Sequence, residues 1–278
     1  MADTSARLVD DTFPDGAPVR QWVLSLPIQI RYRLAHDRKL LSDVLRIFLR
    51  VVNRWYRKQT KAIGITESLG GSVTFAQRFC SALNLNPNFH SLLLDGSFNT
   101  KTNIFHSAPS LEDEDVKKTV ENTAHRVIRM LKRRGVLKQN EYDEFAMEQP
   151  VLAGMTSASI IGLVSVGERA GQRVRRVLQD PAEAVKTGPL CFASRGFNLH
   201  AATRIAAGNK QGLENLCNYM ARPPLAARSL QRISDDEYSF KLKTPWSDGT
   251  THLALSPMEL IEKLAALVPP PRQNIVRY

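Results

Sequence analysis

The stretch "NLNPNFHSLLLDG", residues 84–96, decides how the rest of the chain is read. It reads as a strand, and side chains of a strand alternate between faces. Leu85, Pro87, Phe89, Ser91 and Leu93 share one face. Asn84, Asn86, Asn88 and His90 share the other, before Leu92 and Leu94 turn that face apolar. A buried row of amides and an imidazole is costly unless every polar atom finds a partner. The row therefore either lines a wet site or is an uncompensated cost. Pro87 argues for an edge or a bulge at that point, because proline has no N–H for a ladder.

Outward from this strand, the chain behaves as a core-forming protein with a basic surface. At 278 residues it suggests one large domain, or one domain with insertions. Its net charge of +11 favours an anionic partner, most often nucleic acid. No apolar run is long enough to span a bilayer, and "MADTSARLVDD" does not read as a signal peptide. Cys80, Cys191 and Cys217 are far apart, which excludes a C-x-x-C zinc site and a disulfide framework, and a cytoplasmic compartment is expected.

Residues 1–18 read as a linker ending in "PDGAP", and "VRQWVLSLP" as the first strand. From His36 to Lys61 the period becomes helical. Leu41, Val44, Leu45, Phe48, Val52 and Trp55 form its apolar stripe. Arg46, Arg50, Arg54, Arg57 and Lys61 form a second stripe at spacings of three and four, suited to a solvated face or a phosphate-contacting ridge. "GSVTFAQRFC" is the next strand, and "SFNTKTNIFHSA" a hairpin. "SLEDED" starts a helix running to Gly135, with acids at its head and "KRRG" at its tail, as the macrodipole favours. Arg126, Arg129 and Arg133 cluster on that helix. "KQNEYDEFAMEQP" reads as a loop, and "TSASIIGLVSVGERAGQRVRRVL" as helix with a break near its glycines.

"GFNLHAATRIAAG" alternates as one strand. Leu199, Ala201, Thr203 and Ile205 face one way, and His200, Ala202 and Arg204 the other. A helix over "KQGLENLCNYMARPP" is stopped by Pro223 and Pro224. "YSFKLKTPWSDGTTHLAL" is a hairpin turning at Asp248–Gly249, and "SPME" starts the last helix with Ser256 as N-cap and Glu259 closing a capping box. Strands interleaved with helices, with clear hairpins, give an α+β fold on a mainly antiparallel sheet flanked by helices.

Two constellations stand out. Leu213, Leu216, Cys217 and Met220 form the buried stripe of their helix, and Tyr219 sits on its edge beside Asn215 and Arg222. That position suits a rim tyrosine, or a nucleophile with Arg222 drawing in a phosphate. Asn88 and His90, two apart on one strand face, can converge on one ion. An imidazole and an amide oxygen suit magnesium or manganese better than zinc, and such an ion polarises a phosphodiester.

The blocks "ALNLN…FH…LDG" and "LC-x-Y-x-ARPP", in order along nearly the whole chain, resemble the rolling-circle insertion-sequence transposases of the HUH superfamily. The resemblance implies an HUH endonuclease-like catalytic domain over residues 19–278, with a helical insertion around 111–180. It implies metal-assisted nicking and rejoining of single-stranded insertion-sequence ends by a tyrosine. The products are a 5′-phosphotyrosine and a free 3′-hydroxyl. Carried over by residue, the tyrosine is Tyr219. The family's His–hydrophobic–His motif is Asn88–Phe89–His90, so its first histidine is replaced. His200, on the strand before the tyrosine helix, is added as a third candidate ligand. Two-tyrosine relatives carry a second tyrosine one turn away, where this chain has Asn215 and Pro223.

A phenol is a poor nucleophile at neutral pH, with a pKa of roughly 10 in water, and needs a metal or cations around it. An amide is a weaker ligand than imidazole, so a weakly held divalent metal is expected. Relatives carry an N-terminal zinc-binding module, and the chain is expected to begin after it and to stop, at "NIVRY", short of the family's usual end. The implied protein is a bacterial, nucleoid-associated transposase with DNA as partner and no membrane. The alternative is a non-catalytic DNA-binding relic of one, and an RNA- or protein-binding basic module is a third class.

Overall fold

The chain is described from a computed structural model covering residues 9–136, 143–178, 188–246, 248–269 and 276–277. Its strands are β1 (Val19–Ser25), β2 (Ser68–Leu69), β3 (Ser72–Phe79), β4 (Leu85–Leu94), β5 (Gly96–Asn99), β6 (Phe105–Ser107), β7 (Arg175–Leu178), β8 (Cys191–Ser194), β9 (Phe197–His200), β10 (Arg204–Ile205), β11 (Leu230–Arg232), β12 (Tyr238–Lys241), β13 (Thr250–Leu255) and β14 (Val276–Arg277). The main sheet runs β14-β3-β4-β1-β9-β8, with β10 also on β1, and every pairing in it is antiparallel. The fold is α+β with antiparallel sheets, as the interleaved pattern requires.

The two faces of the main sheet bury different sets of side chains. Trp22, Leu24, Phe89, Leu93, Phe197 and Leu199 pack under the Arg38–Ala62 and Asp113–Arg133 helices. Val19, Val73, Phe75, Leu92 and Leu94 pack under Leu213, Cys217 and Met220 of the Lys210–Ala221 helix. Val9 and Phe13 join this second cluster, so residues 9–18 are packed against the domain they precede. The Asp113–Arg133 helix buries Val116, Val120, Ala124 and Val127 in the first cluster. It starts with a capping box at Glu112 and keeps its acids in the first turn and Lys132 and Arg133 in the last.

A second sheet, β11-β12-β13-β7, packs with the Pro150–Ile161 and Pro257–Leu267 helices around Leu83, Leu85, Phe240, Leu253 and Leu255. The capping box at Ser256 and Glu259 is present. Arg78 holds this unit to the main sheet. It is buried without a carboxylate, and it donates to the Leu267 carbonyl at 3.1 Å and the Ala35 carbonyl at 2.7 Å, the C-terminal ends of two helices.

Three readings need correction. Residues 156–178 are not one broken helix. The helix ends at Ile161, Gly162 takes the left-handed conformation at φ 76°, and the chain resumes as β7 after a loop whose ends meet in a bridge between Leu163 and Arg173. "KQNEYDEFAMEQP" contains a short helix, Glu144–Glu148, capped by Asp143, while residues 137–142 lie outside the described residues. "GFNLHAATRIAAG" is two strands. Ala201–Thr203 leaves the ladder, and the Thr203 carbonyl accepts from the Gln21 N–H at 2.9 Å. The break shifts the alternation by one. His200 stays on the face of the Lys210–Ala221 helix, whereas Arg204 reaches Asp95 and the Ala201-lined side.

The stretch 84–96 behaves largely as its pattern requires. β4 lies inside the sheet, and Pro87 falls where pairing to β1 has ended at Ser25–Asn88 and pairing to β3 shifts between Gln77 and Phe79. The bulge accommodates the missing N–H. Gly96 cannot carry a side chain, because a Cβ there would run into the His106 carbonyl and the Phe105 ring.

Candidate functional site

β4 presents Asn88 and His90 to the side of the Lys210–Ala221 helix. His90 lies opposite Phe75 of β3 and Val23 of β1, and Val23 in turn lies opposite His200 of β9. His90 and His200 thus flank Val23 on one face, two strands and roughly 10 Å apart at their Cα atoms. His90, Val23, Ser25 and His200 are only partly buried, whereas the neighbouring Phe75 and Leu92 are sealed.

Tyr219 stands in the last turn of its helix and is half-buried, as its edge position requires. Gln77 of β3 donates its side-chain N–H to the Met220 carbonyl at 2.8 Å, pinning that turn to the sheet beside Asn88. Arg222, the C-cap, lies 4.3 Å over the Tyr219 ring. Lys243, from the loop after β12, lies 4.0 Å over the same ring and donates to the Tyr219 hydroxyl oxygen at 2.8 Å. Two cations converge on one phenol, one from its own helix and one from the second sheet.

The same two cations act on His90. Burial, then Arg222 and Lys243, lower its pKa from 6.5 to about 4, so the imidazole is neutral at neutral pH. Its Nδ1 meets the Gln21 amide at 3.2 Å. With the amide nitrogen turned to the ring, Nδ1 accepts; with the amide oxygen there, Nδ1–H donates and Nε2 keeps a free lone pair. Burial also lowers the pKa of His200.

The amide row is unevenly satisfied. Asn84 Oδ1 accepts from Lys263 at 2.8 Å. Asn88 donates to the carbonyls of Asn86 at 2.8 Å and Phe79 at 3.4 Å, which fixes its amide orientation. Asn88 Oδ1 and Asn86 Oδ1 are buried and have no hydrogen-bond partner. The orphaned Asn88 oxygen, two residues along the strand from a neutral imidazole, fits a hard divalent cation in donor type. No group of three His, Cys, Asp or Glu side chains able to hold a metal occurs among the described residues.

Residues 71–278 match the model of the family described as "Putative transposase". The chain belongs to this transposase family. No curated protein and no solved structure matches the chain. Membership implies DNA as the partner of this transposase. The matched span holds β3, β4 and the tyrosine helix but not β1, which lies between β4 and β9 and supplies Gln21, so the sheet of the transposase extends outside the match. No helix among the described residues is long and apolar enough to cross a membrane.

The other basic residues singled out from sequence lie elsewhere. Arg46, Arg50, Arg54, Arg57 and Lys61, with Arg126, Arg129 and Arg133, are exposed on the two helices that cover the opposite sheet face. Arg46 is engaged by Asp43 at 2.8 Å. Of the proposed DNA contacts, only Arg222 stands at Tyr219. Lys243, Gln21 and Gln77 were not legible as site residues. Gln21 and Gln77 carried a signal, being polar positions within apolar strands. Lys243 carried none, since it arrives through the packing of the second sheet.

Proposed function

We propose that this transposase nicks and rejoins single-stranded DNA in the manner of the HUH rolling-circle enzymes, with Tyr219 as nucleophile and residues 19–278 as the catalytic domain. The observation that carries the reading is the bond from Lys243 to the Tyr219 oxygen, with Arg222 across the same ring. The Tyr219 oxygen forms the new bond to phosphorus. The Tyr219 hydroxyl proton is released to solvent as that bond forms, the bond to the 3′ oxygen breaks, and that oxygen takes up a proton from solvent as the free 3′-hydroxyl. Lys243 stabilises negative charge developing on the phenol oxygen, and Arg222 is within reach of the phosphate oxygens.

A divalent metal, magnesium or manganese, would be held by His90 and the Asn88 oxygen, with His200 across Val23 as a further candidate, and would supply polarisation of the scissile phosphate. Gln21 orients the His90 ring, and Gln77 holds the tyrosine turn against the strand that carries Asn88. The amide in place of imidazole supports weak metal binding.

Incubation with labelled single-stranded DNA and manganese, followed by a denaturing gel, tests this. A covalent band lost in Tyr219→Phe is expected. DNA binding without an adduct under any metal would instead favour the non-catalytic relic, a reading supported by the missing first histidine and by Asn215 and Pro223 in place of a second tyrosine.

A further inference from the structure

We propose that a cleft on the far face of the main sheet, walled by Arg20, Asp95, Arg204, residues 108–111 and Leu190, is a second phosphate-binding subsite, and that it takes a phosphodiester of the bound DNA strand. This rests on the DNA-binding part of the reading above and not on the tyrosine chemistry. The cleft has a volume of about 430 Å³. It is separated from the Tyr219 site by the thickness of the sheet and by the five residues from His90 to Asp95, roughly 17 Å along a strand.

Asp95 has no acceptor capacity to spare. Oδ1 accepts from Arg20 Nε at 3.0 Å and from the Tyr56 hydroxyl at 3.0 Å, and Oδ2 accepts from the second fork nitrogen of Arg20 at 3.1 Å and from Arg204 Nε at 2.6 Å. A carboxylate offers about four such positions, and all are filled. Trp22 donates to the Tyr56 oxygen at 3.3 Å, and Arg20 also donates to the Ala201 carbonyl at 3.0 Å. Arg20 and Asp95 have side chains only 7% and 2% exposed.

Arg20 alone therefore makes the bidentate pair that neutralises Asp95. Arg204 adds a second guanidinium and leaves the cluster with one uncancelled positive charge. Its side chain is 43% exposed, and its two terminal nitrogens have no hydrogen-bond partner among the described residues. Held at Nε by Asp95, the outer edge of that guanidinium is a fixed fork of the kind that matches two oxygens of a phosphate. The wall at 108–111 runs into the acidic start of the Asp113–Arg133 helix, Glu112 to Asp115, of which Asp113 accepts from the Leu190 N–H at 2.8 Å. These acids repel an anion from that side and leave the Arg204 side as the approach. The shift of alternation at Ala201–Thr203 is what sends Arg204 here rather than to the face of His200.

The test uses the full chain carrying Tyr219→Phe, so that binding is read without chemistry. Anisotropy of a labelled single-stranded oligonucleotide is followed across a salt series. Arg204→Gln is expected to weaken binding roughly three- to tenfold at low salt and to flatten the slope of log K against log salt by about 0.7, one phosphate contact on a single strand. Arg204→Lys keeps the charge and loses the fork, so it should keep most of the slope and lose part of the affinity. A measurement without a variant guards against a folding defect: the Arg204 Nε–H resonance should shift when the oligonucleotide is added. Unchanged affinity and slope in Arg204→Gln, with only a lower melting temperature, would make the cluster structural and overturn the proposal. A resonance that moves with inorganic phosphate but not with the oligonucleotide would overturn the assignment to DNA. Absence of a covalent adduct in the wild-type chain leaves these outcomes unaffected.

Discussion

The two faces of the main sheet treat polar residues in opposite ways. On the face of the Lys210–Ala221 helix, Asn86 and Asn88 keep buried oxygens without partners, and two cations crowd one phenol. On the other face every acceptor of Asp95 is used and the buried Thr74 and Ser91 hydroxyls pair at 2.8 Å, with the Trp55 Nε1 as the exception that has no partner, under helices whose arginines point to solvent. A satisfied buried group holds the fold in one arrangement. An unsatisfied one is a cost that the fold sustains, and ligand chemistry is the natural reason to sustain it. By that rule the first face is the better candidate for catalysis. The second is a satisfied network carrying one surplus guanidinium, suited to hold an anion rather than to do chemistry on it.

The comparison breaks first at Tyr219. Tyr219→Phe should abolish the covalent adduct, and Lys243→Met should slow adduct formation by about 10²-fold or more, as removal of a donor to developing charge does. Lys243 is exposed, so the melting temperature of that variant should stay near wild type. An unaltered rate in Lys243→Met on a denaturing gel would remove the observation on which the catalytic reading rests.

On the other face the expected effect is on stability. Asp95→Asn leaves two guanidinium groups facing a neutral amide, and should cost about 3–5 kcal/mol in urea unfolding. A loss below about 1 kcal/mol would mean that the network is not structural.

The exposed ridge should matter for DNA affinity and little for stability. Replacing Arg50, Arg54 and Arg57 together with glutamine should lower the salt slope of single-strand binding by about two if all three meet phosphates. The adduct rate at saturating DNA should not change. Full retention of the slope would leave the stripe as a solvated helix face.

The smallest effect concerns pH. His36 stacks on Phe145 at 3.7 Å, and its Nε2 is buried without a partner. Burial, then Arg78, lower its pKa from 6.5 to about 4, against a partial rise from Asp143. The unfolded chain takes up a proton near pH 6.5 and the folded chain resists until about 4, so this contribution is present above 6.5 and is lost as pH falls through that window. His90 titrates with the same sign. His36→Phe should therefore reduce the fall in urea midpoint between pH 7 and pH 4.5 without eliminating it. An unchanged fall would show that His36 is not a source of it.

Much of the architecture was readable because it depends on local chemistry. The alternation in 85–94, the hairpin turn at Asp248–Gly249 and the capping box at Ser256 and Glu259 all rest on residues within a few positions of one another. The misread segments fail for one reason: a short apolar run does not say whether its period is 3.6 or 2. Residues 156–178 held both, and only the pairing of β7 with β13 made the second half a strand. "GFNLHAATRIAAG" failed because alternation cannot reveal a break of three residues. That break put Arg204 on the face away from His200.

The site divides the same way. Tyr219 at the rim of its helix and His90 among amides follow from periodicity, because a side chain's direction is set by its own backbone. The sequence by itself determined an α+β chain and a basic surface, and singled out Tyr219 and His90. The tertiary structure alone decided that Lys243 meets the Tyr219 oxygen, that Gln21 meets His90, and that the arginine ridge stands behind the sheet rather than beside the tyrosine. Those contacts join residues tens of positions apart, through strand pairing and the docking of one sheet on another, and no local pattern encodes a meeting made that way.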